Sequence, residues 1–162
     1  LKRQEFNITV EKHSNALYRF ATHFLKNREE AQDIVQDVFE KLWINREKVE
    51  TEKVKSWLFT CAHNAMLNFI NKKARMTRLN DAYPFDSSEN STFSFESTQV
   101  INHIVGILPP VQKSIILLRD LEGYSYEEIG DIMSLSPSQV KVYLFRARLK
   151  IKKQLKGRNE LA

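Results

Sequence analysis

Apolar residues recur along much of the chain at intervals of three and four, the spacing that lines one face of an α-helix. Between Glu11 and Leu25 they are Leu17, Phe20, Ala21 and Phe24; between Glu29 and Arg46 they are Ala31, Ile34, Val35, Val38, Phe39, Leu42 and Trp43. A third predicted helix starts near Val54 and carries Trp57, Leu58, Cys61, Ala62, Ala65, Phe69 and Ile70. It ends in the run Lys72-Lys73-Ala74-Arg75-Met76-Thr77-Arg78, a charge that suits the negative end of a helix dipole.

The pattern then breaks. From Leu79 to Val100 there are four acidic residues and no Lys or Arg, and Ser and Thr crowd the stretch Ser87 to Thr92. Such a composition predicts a flexible tether, here residues 81–98. Phe85, Phe93 and Phe95 within it are unusual for a free linker and predict docking onto a neighbouring domain or a partner. Helical spacing resumes from Gln99 to Leu108, is stopped by Pro109-Pro110, and returns from Val111 to Leu121. Two capping signatures follow: Ser125-Tyr126-Glu127-Glu128, then Ser136-Pro137-Ser138-Gln139 with proline at the first helical position. A short helix, a tight turn and a longer helix running to about Leu155 make helix-turn-helix grammar. The expected fold is all-α: two small helical domains, 1–80 and 99–162, joined by a flexible linker, the second a helix-turn-helix.

Composition agrees and narrows the function. With 4 Gly and 4 Pro in 162 residues the chain is poorly suited to a turn-rich β-sandwich, and a hydrophobic fraction of 42% supports a real core. Cys61 is the only cysteine, so neither an internal disulfide nor a zinc knuckle is possible, and a reducing, cytoplasmic setting is expected. No apolar run approaches a bilayer span and Leu1 to Glu5 does not read as a signal peptide, so neither secretion nor membrane insertion is expected. Enzyme signals are weak. The four histidines stand far apart in sequence, and neither a metalloprotease nor a phosphate-loop motif occurs. Glu29, Asp33 and Asp37 at intervals of four read as a solvated acidic face rather than a metal site, and Cys61 as an inert core thiol. No catalytic residue, metal or cofactor is expected.

Charge is unevenly placed. The formal net charge is +5, and between Ser134 and Ala162 there are eight basic residues against one acidic. In the last helix Val140, Leu144, Ala147 and Ile151 form the inner stripe expected to pack on Ile129, Ile132 and Met133. Its first polar turns suit a major groove, with Ser138, Gln139 and Lys141 toward base edges and Arg146 and Lys150 toward phosphates. In the third helix Asn64, Asn68, Asn71 and Lys72 share a flank. Asn amides read exposed base edges, and Trp57 or Phe59 could stack on unpaired bases or simply fill the core. The second helix is acidic on one side (Glu29, Asp33, Gln36, Asp37, Glu40) and apolar over an arc wider than a core requires, with Phe39 and Trp43 at the margin. That margin fits either a protein partner or a domain wrapped around the helix.

These segments reach a known pattern. Asp33 to Trp43 resembles the core-polymerase-binding segment of extracytoplasmic-function (ECF) sigma factors of the sigma-70 family, and Val54 to Asn64 resembles the start of their promoter-melting helix. Leu108-Pro109, Leu121 to Gly130 and Val140 to Arg148 are similar to their C-terminal helix-turn-helix. The resemblance implies an RNA polymerase specificity subunit with no chemistry of its own. Asp33, Gln36, Asp37, Phe39, Glu40 and Trp43 would then bind core polymerase. Lys55, Trp57, Asn64, Asn68, Lys72, Lys73 and Arg75 would hold the minus-ten element. Ser136, Ser138, Gln139, Lys141, Val142, Phe145, Arg146 and Lys150 would hold the minus-thirty-five element. Implied partners are the β′ clamp and β flap of core RNA polymerase, promoter DNA and an anti-sigma factor, membrane-bound in many relatives. Ser138-Gln139 stand where relatives often carry Gly-Thr, so the family's sequence preference does not carry over. Without the resemblance two other readings stand: a stand-alone helix-turn-helix regulator, and a helical adaptor that binds only protein.

Overall fold

The computed structural model describes residues 1–79 and 97–161, and every regular element among them is helical. Helix α1 spans Arg3–Leu25, α2 Arg28–Ile44 and α3 Val54–Leu79, the last entered through a short 3-10 turn at Thr51–Lys53. α1 starts eight residues before the expected Glu11. Its buried stripe continues upstream through Thr9 and His13, polar residues that an apolar periodicity does not count. Lys26 closes α1 in the left-handed conformation (φ 56°), and Asn27 opens α2, its Oδ1 accepting the Glu30 amide at 2.9 Å. The two helices therefore turn back on each other within two residues. Leu17, Phe20, Phe24, Val38, Leu42, Leu58, Phe59 and Met66 fill the space between α1, α2 and α3.

The second group is α4 (Ser97–Gly106), α5 (Pro110–Ile116, continued by a π-helical turn through Leu121), α6 (Tyr126–Met133) and α7 (Pro137–Leu161). Gly123 (φ 73°) takes the left-handed turn out of the π segment, where a side chain would be strained. Both capping boxes form. Ser125 Oγ accepts the Glu128 amide while Glu128 accepts the Ser125 amide, each at 3.1 Å. Ser136 and Gln139 repeat the exchange at 3.1 and 2.8 Å. Between α6 and α7 the backbone reverses at Ser134 (φ 58°), and the Leu135 amide donates to Gly130 O at 2.9 Å. A Cβ on Gly130 would run into the Leu135 carbonyl oxygen, so this turn is closed by the absence of a side chain. Val140, Leu144 and Ala147 are buried as expected, over Ile129 and Ile132, and Ile151 is half-buried. α7 runs six residues past the expected Leu155, and α4 begins two residues before the expected Gln99. Most of the expected tether, with Phe85, Phe93 and Phe95, lies outside the described residues.

The two groups share one continuous apolar cluster. Phe59 of α3 is central, its ring 5.6 Å from Phe20 in α1 and 5.3 Å from Tyr124, which lies just before α6. Phe59 is fully buried, which assigns it to the core rather than to base stacking.

Candidate polymerase and nucleic-acid interfaces

On α2 the candidates form an exposed acidic strip ending in an aromatic. Asp33, Gln36, Asp37 and Glu40 are exposed and Phe39 is half-buried, with Gln36 Nε2 donating to Glu40 at 3.3 Å. Trp43 is presented rather than loose. Phe6 meets it edge-on at 5.0 Å, and the Arg46 guanidinium lies 4.0 Å over its ring while donating to Trp43 O at 2.7 Å. Phe6 had no place in the sequence reading, because the first turns of α1 were not counted as helix. Next to Trp43, Ile44 is 76% exposed.

On α3, Trp57, Asn64, Asn68, Lys72 and Arg75 follow each other at seven, four, four and three residues and so share one face. The last four are exposed and Trp57 is half-buried. Trp57, Thr60, Cys61 and Asn64 of α3 line a groove of about 620 Å³ together with Ser56, with Lys53 just before the helix and with Asp131 of α6. Asp131 was not legible in the sequence, because only packing of α6 on α3 brings it there. Lys73 and Lys55 are occupied within the chain. Lys73 Nζ pairs with Glu30 at 3.2 Å; Lys55 Nζ donates to Glu128 and lies 4.0 Å over the Tyr124 ring. The lysine beside it, and the Ser125 amide, hold the Glu128 carboxyl below the usual range.

On α7, Ser136, Ser138, Gln139, Lys141, Val142, Phe145, Arg146 and Lys150 are all exposed while the opposite stripe is buried. Ser136 and Gln139 spend one hydrogen bond each way on the cap, which leaves the Gln139 amide nitrogen to donate elsewhere. Val142 is 46% and Phe145 67% exposed among cations, an apolar pair suited to thymine methyl groups.

Two buried bases lie between the helical groups. His63 of α3 hydrogen-bonds Ser114 Oγ at 2.6 Å and faces the Phe24 ring, and burial lowers its pKa. Lys113 of α5 donates to Phe24 O at 3.2 Å, at the carbonyl end of α1, and lies 4.2 Å over the Phe24 ring. Burial, then the neighbouring Lys26, lowers its pKa. Burial pushes the Cys61 thiol up, against nucleophilic use. Among the described residues no three His, Cys, Asp or Glu side chains converge as a metal site would require, and no helix is long and apolar enough to cross a membrane.

Comparison with known proteins accounts for both helical groups. The Sigma-70 region 2 family matches residues 9–76, and the Sigma-70 region 4 family matches 99–151. RNA polymerase sigma factor YlaC of Bacillus subtilis is 30% identical over 155 residues, covering 90% of this chain and 87% of that protein. The ECF RNA polymerase sigma factor SigM of the same species is 29% identical over 142 residues, covering 85% and 87%. Among solved structures, the sigma factor RpoE of Bartonella quintana, crystallised with the anti-sigma factor NepR, superposes with a TM-score of 0.76 at 24% identity, over 94% of this chain and 98% of that one. CnrH, solved with the cytosolic domain of CnrY, gives 0.70 at 21% identity, over 96% and 90%. The chain belongs to the ECF group of sigma-70 family RNA polymerase sigma factors. It is a non-enzymatic subunit that directs core RNA polymerase to promoter DNA for transcription initiation.

Proposed function

We propose a division of labour along the chain in which residues 1–80 bind core polymerase and the melted minus-ten element, residues 81–98 connect, and residues 99–162 bind the duplex minus-thirty-five element. The observation that carries it is the separation of three exposed faces: acid and aromatic on α2, amide and cation on α3, cation and apolar on α7. Asp33, Gln36, Asp37, Phe39, Glu40 and Trp43 dock on the β′ clamp, where their carboxylates repel DNA but suit a basic protein surface. Trp57, Asn64, Asn68, Lys72 and Arg75 take unpaired bases and their phosphates, joined by Lys55 and Lys73 once these leave their glutamates. The α7 set reads the major groove, and the helix-turn-helix group meets the β flap.

The mechanism is differential binding. Opening duplex DNA costs about 1.4 kcal/mol per base-pair step. Each base captured on an aromatic surface returns about 1–3 kcal/mol. One tryptophan cannot offset several opened steps, so melting requires the polymerase to hold the remainder. An anti-sigma factor, as NepR is for the RpoE it was crystallised with, regulates the chain, and the chain acts in the cytoplasm.

The test is reconstitution with core polymerase. Asp37→Ala should weaken association with core at least tenfold, read by fluorescence anisotropy, while binding of the polymerase-free chain to duplex promoter DNA stays unchanged. Equal loss in both assays would reject the division.

A further inference from the structure

We infer that Phe6, in the first turns of α1, is a positioning residue for polymerase docking: together with Arg46 it sets the Trp43 ring in the orientation that core polymerase meets. The inference rests on the reading of α2 as the polymerase-binding surface and adds a residue that acts through Trp43. The Sigma-70 region 2 match begins at residue 9, so Phe6 lies outside it.

Trp43 stands one residue before the end of α2 and is 37% exposed. A long aromatic side chain at such a place samples several rotamers unless neighbours restrict it. Two groups from outside α2 restrict this one. The Phe6 ring meets it edge-on, with centroids 5.0 Å apart and planes at 69°, the geometry of a favourable aromatic pair. The Arg46 guanidinium lies 4.0 Å over the indole and is tied to Trp43 O at 2.7 Å, so the cation is placed by the same residue that it covers.

Phe6 is itself anchored. It packs against the apolar core cluster. Its turn of α1 is closed by the Phe6 amide donating to Lys2 O at 2.9 Å and by the Lys2 amide donating to the Glu5 carboxylate at 3.1 Å. Rigidity therefore passes from the core through Phe6 to an exposed ring at the end of the acidic strip. Phe6, Trp43 and Arg46 also line one open groove of about 1150 Å³, so the indole is held and still reachable. A ring ordered before docking spares the complex the ordering of that side chain, worth about 2- to 12-fold in affinity. Large aromatic anchors are where such differences weigh most. Phe6 raises polymerase affinity by that route without itself needing to touch polymerase.

The experiment uses the intact chain, labelled with fluorescein at its C-terminus, and core polymerase. Phe6→Ala should weaken core association at least threefold in anisotropy titrations while polymerase-free binding to duplex promoter DNA stays unchanged. Phe6→Leu keeps an apolar side chain on the core and removes only the ring, which guards against a folding defect; it should lose as much, and Phe6→Tyr should stay within twofold of the parent. Ring mobility is read separately in a Trp57→Phe background, where Trp43 is the only tryptophan. There Phe6→Leu should raise the acrylamide quenching constant at least twofold. Trp43→Ala should weaken core association at least tenfold, and adding Phe6→Leu to it should change the affinity by less than 1.5-fold, because a residue that acts through Trp43 has nothing left to act on. Parental core affinity or unchanged quenching in folded Phe6→Leu overturns the inference, as does a further threefold loss when Phe6→Leu is added to Trp43→Ala. If Trp43→Ala itself left core affinity unchanged, the reading of α2 would fall, and the quenching result would still report whether Phe6 holds the ring.

Discussion

Helices α3 and α7 are near twins in length, 26 and 25 residues, and both are rich in basic residues toward their C-terminal ends. They are packed in opposite ways. α3 is held by α1 and α2 on one side and by α6 on the other, burying Val54, Leu58, Phe59, Ala62, His63 and Met66. Over its first four turns α7 buries only the stripe Val140, Leu144 and Ala147, leaving its outer face to solvent. A helix anchored along one stripe is ready to enter a groove as it stands. Helix α3, gripped from two sides, keeps Asn64, Asn68, Lys72 and Arg75 exposed along one flank, a narrower strip than the one α7 offers.

The sharpest way to break that contrast is to remove the residue that joins the two grips. Phe59→Ala should cost about 3–5 kcal/mol in urea unfolding, because a fully buried ring touching Phe20 and Tyr124 leaves a cavity between the helical groups. A loss under 1 kcal/mol would show that the groups do not share a core. Next in size is Gly130→Ala, about 1–3 kcal/mol from forcing a methyl group against the Leu135 carbonyl. It should displace α7 and weaken duplex binding while leaving core polymerase association intact. Unchanged duplex affinity would mean that the turn does not position α7.

A smaller effect comes from acid. Burial lowers the pKa values of His63 and His13 below the usual imidazole range. The unfolded chain therefore binds more protons once pH falls below about 6.5. Stability is full above that point and declines below it, until the lowered folded values are passed. The groups facing His63 are the Phe24 ring and Ser114, neither of which compensates a positive charge. Thermal melts between pH 7.5 and 5.5 should show Tm falling with acidification, and His63→Gln should reduce the slope. The smallest change is Arg148→Ala: its pair with Asp120, at 2.8 Å but half-exposed on both sides, should contribute under about 1 kcal/mol.

What the sequence revealed follows the range of the interactions. The capping boxes at Ser125 and Ser136 and the inner stripe of α7 are local, decided within four to eleven residues, and all formed as expected. The first turns of α1 escaped because Thr9 and His13 carry the buried stripe there; the Thr9 hydroxyl is satisfied by Glu5 O at 2.7 Å. Trp57 and Phe59 were indistinguishable by spacing, and only packing separated a groove wall from a core ring. The packing of the two helical groups on each other rests on pairs 72, 73 and 103 residues apart, beyond anything periodicity reports. Lys55 and Lys73, expected from the resemblance at the minus-ten element, are held by Glu128 and Glu30 in the fold.

The division between α3 and α7 is tested most directly by photocrosslinking in reconstituted holoenzyme on promoter DNA, with p-benzoylphenylalanine introduced at Asn64 or at Phe145. Asn64→p-benzoylphenylalanine should crosslink to the unpaired minus-ten strand only when core polymerase is present. Phe145→p-benzoylphenylalanine should crosslink to the minus-thirty-five duplex with or without it. Crosslinks from position 64 to polymerase alone, or none to DNA from position 145, would contradict the account.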